Sequence, residues 1–150
     1  MKDLIWIEVS KSAIKNNLQI FRNVAGKGNL IAVAVKANAY GHGIEEVSKL
    51  LLSEGVDWFC VNSIEEAEVL GKINIKKPIL IMGFVQKKDL ARVVDLDSHI
   101  FLYNLLTAKA LSEIALKKGK KANIYIKADT GLSRLGVLAD DILTFAKELK

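Results

Sequence analysis

Short apolar runs alternate with amphipathic helical segments along this chain, and that alternation constrains the fold more than any other feature. Five runs read as strands: 29–36 (NLIAVAVK), 57–61 (DWFCV), 78–82 (PILIM), 99–103 (HIFLY) and 122–127 (ANIYIK), and a helical pattern follows each. Strands that are apolar on both faces avoid water on both, so they belong in a parallel sheet covered by helices. A further run at 4–9 (LIWIEV) also reads as a strand, and Ser10 is placed to cap a helix over 11–25 that stops at Gly26-Lys27-Gly28. Ser63-Ile64-Glu65-Glu66 spells a capping box, in which Ser63 accepts from the Glu66 amide and Glu66 reaches back. Gly55 and Gly119 fall where helix C-caps belong, and Asn104 stands where the helix after the fourth run needs an N-cap.

Five β/α units fit either an open doubly wound sheet or part of a (β/α)8 barrel, and spacing alone does not choose. No G-x-G-x-x-G follows the first strand and no G-x-x-x-x-G-K-[ST] occurs, so the usual phosphate loops of doubly wound nucleotide binders are missing. A barrel ordinarily needs about 250 residues, against 150 in this chain. A barrel reading therefore makes the chain a portion of the fold.

Composition limits the function classes. With 51% hydrophobic and 26% charged residues the chain can bury a sizeable core. Its net charge of +5 comes from scattered lysines, without a basic cluster interleaved with aromatics, so no nucleic-acid partner is expected. No apolar run approaches the roughly 18 residues of a membrane span, and the N-terminus is too charged for a secretory signal, which leaves the cytoplasm as the default. The one cysteine, Cys60, sits in an apolar run and is expected to pack as a core thiol. Two histidines without a carboxylate or thiol cluster at ligand spacing give no metal site; His42 is expected to hydrogen-bond within a loop and His99 to begin a strand.

The chemistry gathers at two strand ends. Lys36 closes the run IAVAVK and is followed at once by Ala37-Asn38-Ala39-Tyr40-Gly41-His42-Gly43. A lysine there is ordinarily structural, its stem covering apolar surface and its head in water. Partial desolvation would also favour the neutral amine, a nucleophile toward carbonyl compounds. The second cluster, Lys127, Asp129, Thr130, Ser133 and Arg134, follows the fifth run. It reads either as a tight connection with an Asp/Arg surface pair or as an arginine held over the face that carries Lys36. In parallel α/β folds ligands bind at the C-terminal strand ends.

AVKANAYGHG (34–43) resembles the cofactor-lysine signature of the alanine racemases, and IKADTGLSRLG (126–136) resembles the same family's second barrel motif. VNSIEEAEVLGK (61–72) is also similar, with Gly71-Lys72 where many relatives show Leu-Arg, and in the first motif Asn38 stands in place of a commoner Asp. The resemblance implies a parallel (β/α)8 barrel of the TIM type. About five β/α units would be present, preceded by the N-terminal strand and helix. Residues 1–150 would then be the N-terminal portion of a barrel domain that binds pyridoxal phosphate, with the family's C-terminal β domain absent from this chain.

By the same resemblance Lys36 would form the internal aldimine and serve as one acid/base group. Tyr40 would hydrogen-bond the cofactor phosphate, and Arg134 would contact the cofactor's phenolic oxygen on the substrate-binding side. Lys127 would be a candidate for carbamylation. The activity implied is interconversion of L- and D-alanine by a homodimer, supplying D-alanine for peptidoglycan. The opposite base would lie outside this sequence, so the chain alone is expected to be inactive. A related barrel protein acting on another amino acid and a truncated non-catalytic product are the alternatives.

Overall fold

The computed structural model describes residues 4–149. Helix α1 (Lys11–Ala25) leads into strand β1 (Ala32–Ala34), a tight turn labelled α2 (Lys36–Tyr40) and helix α3 (Ile44–Ser53). Four more units follow: β2 (Trp58–Val61) with α4 (Ile64–Lys72), β3 (Ile79–Ile81) with α5 (Leu90–Asp95), β4 (His99–Leu102) with α6 (Leu105–Lys117), and β5 (Asn123–Ile126), which leads to α7 (Ile142–Glu148). The caps form where the sequence puts them. Ser10 Oγ accepts from Ala13 N–H at 3.2 Å, Ser63 Oγ from Glu66 N–H at 3.4 Å, and Asn104 Oδ1 from Leu106 N–H at 2.8 Å.

The strands run β1-β2-β3-β4-β5, all parallel and in sequence order. A doubly wound sheet reverses its order at a switch point, and this one does not reverse. Crossovers of one hand between consecutive strands put every helix on the same face, which is the winding of a barrel. Alternation then sorts the strand residues. Phe59, Val61, Ile79, Ile81, Ile100 and Leu102 turn to the helices and are buried with Leu51, Ala67, Leu70, Leu90, Val93 and Leu111. The other face carries Trp58, His99 and Tyr125, whose rings meet with Trp58–His99 centroids 4.6 Å apart. The fold is that of the (β/α)8 barrel, with five β/α units in this chain.

Asp57 fastens α1 to the sheet. Its carboxylate accepts from Ile31 N–H at 2.8 Å and from Arg22 at 3.0 Å, and Arg22 also donates to the Gly55 carbonyl. The Ile31 amide, then Arg22, hold the acid below its ordinary value despite partial burial. On the outer surface the Arg92 guanidinium joins Glu68, Asp89 and Glu65.

Residues 4–9 depart from expectation. The helix at 11–25 is present, but the run before it forms no strand, and Leu4, Ile5, Trp6 and Ile7 are exposed. Alternation marks a strand only when a neighbour offers its backbone groups, and among the described residues none is aligned with this segment. Strand β1 is also shorter than the apolar run: the Asn29 side chain donates to Ala25 O at the end of α1, and the ladder stops before Lys36.

Candidate functional site

Lys36 opens a left-handed turn. Ala37 (φ 52, ψ 50), Asn38 (φ 54, ψ 46) and Ala39 (φ 52, ψ 48) lie near the ideal left-handed helix, and Tyr40 continues at φ 54. Each L-residue in that region costs roughly 1–2 kcal/mol, less for Asn, so the surroundings must impose it. They do so through a closed set of hydrogen bonds. Ala39 N–H donates to Val35 O at 2.8 Å, Gly41 N–H to Ala37 O at 3.0 Å and Gly43 N–H to Asn38 O at 3.0 Å. Asn38 Oδ1 accepts from Ile44 N–H at 2.9 Å, capping α3, and His42 Nδ1 lies 2.9 Å from Ala39 O. His42 is thus the loop hydrogen-bonder the sequence suggests, and Asn38 in place of the commoner Asp caps α3 through its side-chain oxygen. Gly41, at φ 89, carries the left-handed path on where a side chain would add further strain.

The turn buries Ala39 and lifts Tyr40 outward, 60% exposed. Lys36 is half-buried beside them and makes no ion pair among the described residues. Lys36 and Tyr40 therefore share one rigid turn just past the end of β1.

The second cluster forms beyond β5. Lys127 N–H donates to Leu102 O at 2.9 Å, and Lys127 Nζ lies 5.4 Å from the centre of the Phe101 ring. Asp129 Oδ1 accepts from Gly131 N–H and Ser133 N–H, both at 3.0 Å, and these amides hold its carboxyl below the usual range. The Asp129–Arg134 surface pair therefore does not form. Backbone amides two and four residues along are already in place, whereas Arg134 would have to be immobilised to compete. Two short strands the sequence did not suggest, β6 (Ala128–Asp129) and β7 (Val137–Leu138), pair in parallel and close the loop, with Val137 N–H donating to Lys127 O at 2.8 Å. Gly136 makes this possible: a Cβ there would stand 2.6 Å from Asp129 N. Arg134 rides exposed on the loop so formed.

Lys36 with Tyr40, and Lys127 with Arg134, thus sit at the C-terminal ends of the first and fifth strands, on the same rim of the sheet. In an eight-stranded barrel the first and fifth positions face each other across the mouth. Cys60 packs under the rim and burial pushes its thiol up, and desolvation among the barrel-face rings holds His99 below its ordinary value.

Glu66 is the residue sequence reasoning misplaced. Its capping-box partner should be Ser63 N–H, but Glu66 Oε1 accepts from Ala37 N–H at 2.6 Å and Oε2 from Asn62 N–H at 2.7 Å. The capping-box spacing identified the carboxylate; nothing local in the sequence points to Ala37.

These features define an α/β-barrel protein with a half-buried lysine and an arginine-bearing loop at the strand-end rim. The chain matches the family described as alanine racemase, N-terminal domain, over residues 9–150, and it belongs to that family. An alanine racemase of Methanococcus maripaludis is 42% identical over 136 residues, 91% of this chain and 36% of that protein. Alanine racemase 1 of Caldanaerobacter subterraneus is 40% identical over 91% of this chain and 35% of its own length. The solved alanine racemase of Clostridium difficile 630 in complex with cycloserine superposes with a TM-score of 0.87 at 30% identity, over 91% of this chain and 38% of that one. The chain spans just over a third of the length of these relatives.

Proposed function

We propose that this chain supplies the lysine-bearing part of the active site of an alanine racemase that uses pyridoxal phosphate to interconvert L- and D-alanine. One observation carries the reading: a half-buried lysine without a carboxylate partner among the described residues, fixed by a left-handed turn at the barrel rim. The donor set suits the cofactor. An amine meets an aldehyde, the Tyr40 hydroxyl a phosphate, and the Arg134 guanidinium the phenolic oxygen. When bound, pyridoxal phosphate withdraws electrons from the substrate Cα and makes its proton labile.

The chain's own contribution is to hold the amine and move that proton. Lys36 Nζ would take or return the Cα proton on one face. Tyr40 would hold the phosphate end of the group and Arg134 its phenolic edge. Lys127 plays its part as a carbamate, whose negative charge would orient Arg134; as an ammonium it would repel that guanidinium. Inversion also requires a base on the opposite face, which this reading assigns to the partner subunit of a homodimer. The barrel portion in residues 1–150 would be joined there by a C-terminal β domain. A role in peptidoglycan supply rests on the family resemblance.

The test is reduction with borohydride in the presence of pyridoxal phosphate, followed by peptide mass spectrometry, together with racemisation of a panel of amino acids. Labelling concentrated on Lys36 and turnover of alanine in preference to the panel are expected. Labelling spread evenly over surface lysines would refute the assignment, and preference for another amino acid would refute the substrate.

A further inference from the structure

We infer that Glu66 is the positioning residue for Lys36. The inference rests on the reading of Lys36 given above, and it starts from the β1–β2 ladder. Trp58 N–H donates to Ile31 O at 3.1 Å and Val35 N–H to Cys60 O at 2.8 Å. With the two-residue repeat of a parallel pair, the next rungs would be Asn62 N–H to Val35 O and Ala37 N–H to Asn62 O.

Neither rung forms. The Val35 carbonyl is taken by Ala39 N–H at 2.8 Å, inside the left-handed turn, and the Asn62 carbonyl by Gly83 N–H at 3.2 Å, past the end of β3. Two amides are thereby left without their ladder acceptors, and these are the two that Glu66 holds, one on each carboxylate oxygen. The carboxylate replaces two rungs at once. It ends the pairing of β1 with β2 while keeping the strands in register, and so lets the chain leave the sheet left-handed directly after Lys36.

The Ala37 amide belongs to the peptide bond that follows Lys36. Fixing it fixes the plane of that peptide, hence the direction in which the Lys36 stem leaves the rim. An ionised carboxylate suits the task. It accepts on both oxygens, charge-assisted hydrogen bonds are shorter and stronger than neutral ones, and negative charge in the first turn of α4 is favoured by the helix dipole. A glutamine of the same shape accepts on one oxygen and turns an NH2 group toward the other amide, so it can satisfy one rung only.

The experiment compares wild type, Glu66→Gln and Ser63→Ala in the protein purified with pyridoxal phosphate. Ser63→Ala removes a bond at the same helix end without touching the Lys36 peptide. The readouts are the rate of borohydride trapping mapped to Lys36, the induced circular dichroism of the bound pyridoxal phosphate, which reports the orientation of its tether, and the melting temperature.

Glu66→Gln should slow trapping at Lys36 about tenfold or more, as expected for a misplaced reacting group, and change the induced signal. Ser63→Ala should lower the melting temperature and leave both site readouts as in wild type. If Glu66→Gln only lowers the melting temperature, with trapping and induced signal unchanged, Glu66 is structural and the inference is overturned while Lys36 keeps its role. If wild type is not trapped at Lys36, the reading of Lys36 fails and this inference falls with it.

Discussion

Replacing Ala37 by glycine should stabilise the protein, although the same exchange in a right-handed helix destabilises. Ala37 stands at φ 52, ψ 50 with its side chain exposed, so deleting the methyl group forfeits no packing. An alanine in the left-handed region carries a penalty of roughly 1–2 kcal/mol that glycine escapes. Glycine's greater freedom in the unfolded chain takes back about 0.5–1 kcal/mol. The difference favours Ala37→Gly by about 0.5–1 kcal/mol, which for a domain of 150–250 residues is a rise of roughly 1–4 °C in melting temperature. Lys109→Gly, on the exposed side of α6, supplies the opposite sign, a loss of about 1 kcal/mol. Urea denaturation measures both, as shifts in midpoint at constant slope. The same Ala37→Gly protein should trap pyridoxal phosphate at Lys36 more slowly, because the turn that aims the lysine becomes more mobile. Destabilisation by Ala37→Gly to the same extent as Lys109→Gly would show that the turn is not held left-handed in solution, and the account of how Lys36 is presented would fail.

Tyr40→Phe should weaken pyridoxal phosphate binding about tenfold, the worth of one hydrogen bond to a charged group, with little change in melting temperature because the ring is 60% exposed; fluorescence titration decides, and unchanged affinity would remove Tyr40 from the site. Asp57→Asn should lower stability at neutral pH. The folded-state pKa of Asp57 lies below its ordinary value of 3.8, so its contribution is complete above pH 3.8 and fades as pH falls through the folded value. The gap between wild type and Asp57→Asn should therefore narrow in acid below that pH. A gap that stays constant there would mean that the ionised carboxylate does not fasten α1.

The order of strands and helices was legible because each strand carries its own hydrophobic period and each cap its own side chain; Ser10, Ser63 and Asn104 all cap as their spacing requires. Lys36 and Arg134 were legible as residues but their setting was not. Ala37-Asn38-Ala39-Tyr40 contains two strong formers of right-handed helix, and no local propensity favours winding the other way. The left-handed path is held by the adjacent Val35 carbonyl and, from outside the turn, by a Glu66 oxygen 29 residues further along. Residues 4–9 failed as a strand for the complementary reason: period reveals which face is apolar and is silent about who pairs with the backbone.

The same accounting links the two halves of the rim. Where a parallel ladder ends, amides lose their acceptors and something must replace them. At β1 and β2 the replacement is Glu66, and beyond β5 it is Asp129, which takes the Gly131 and Ser133 amides. Each carboxylate shapes the loop that presents a basic residue, Lys36 in one case and Arg134 in the other, without forming an ion pair with it among the described residues. An acidic residue near a strand end next to a basic one suggests a salt bridge when the sequence is read by charge alone. In both loops backbone amides take the acid, and the basic residue is left without an acidic partner among the described residues.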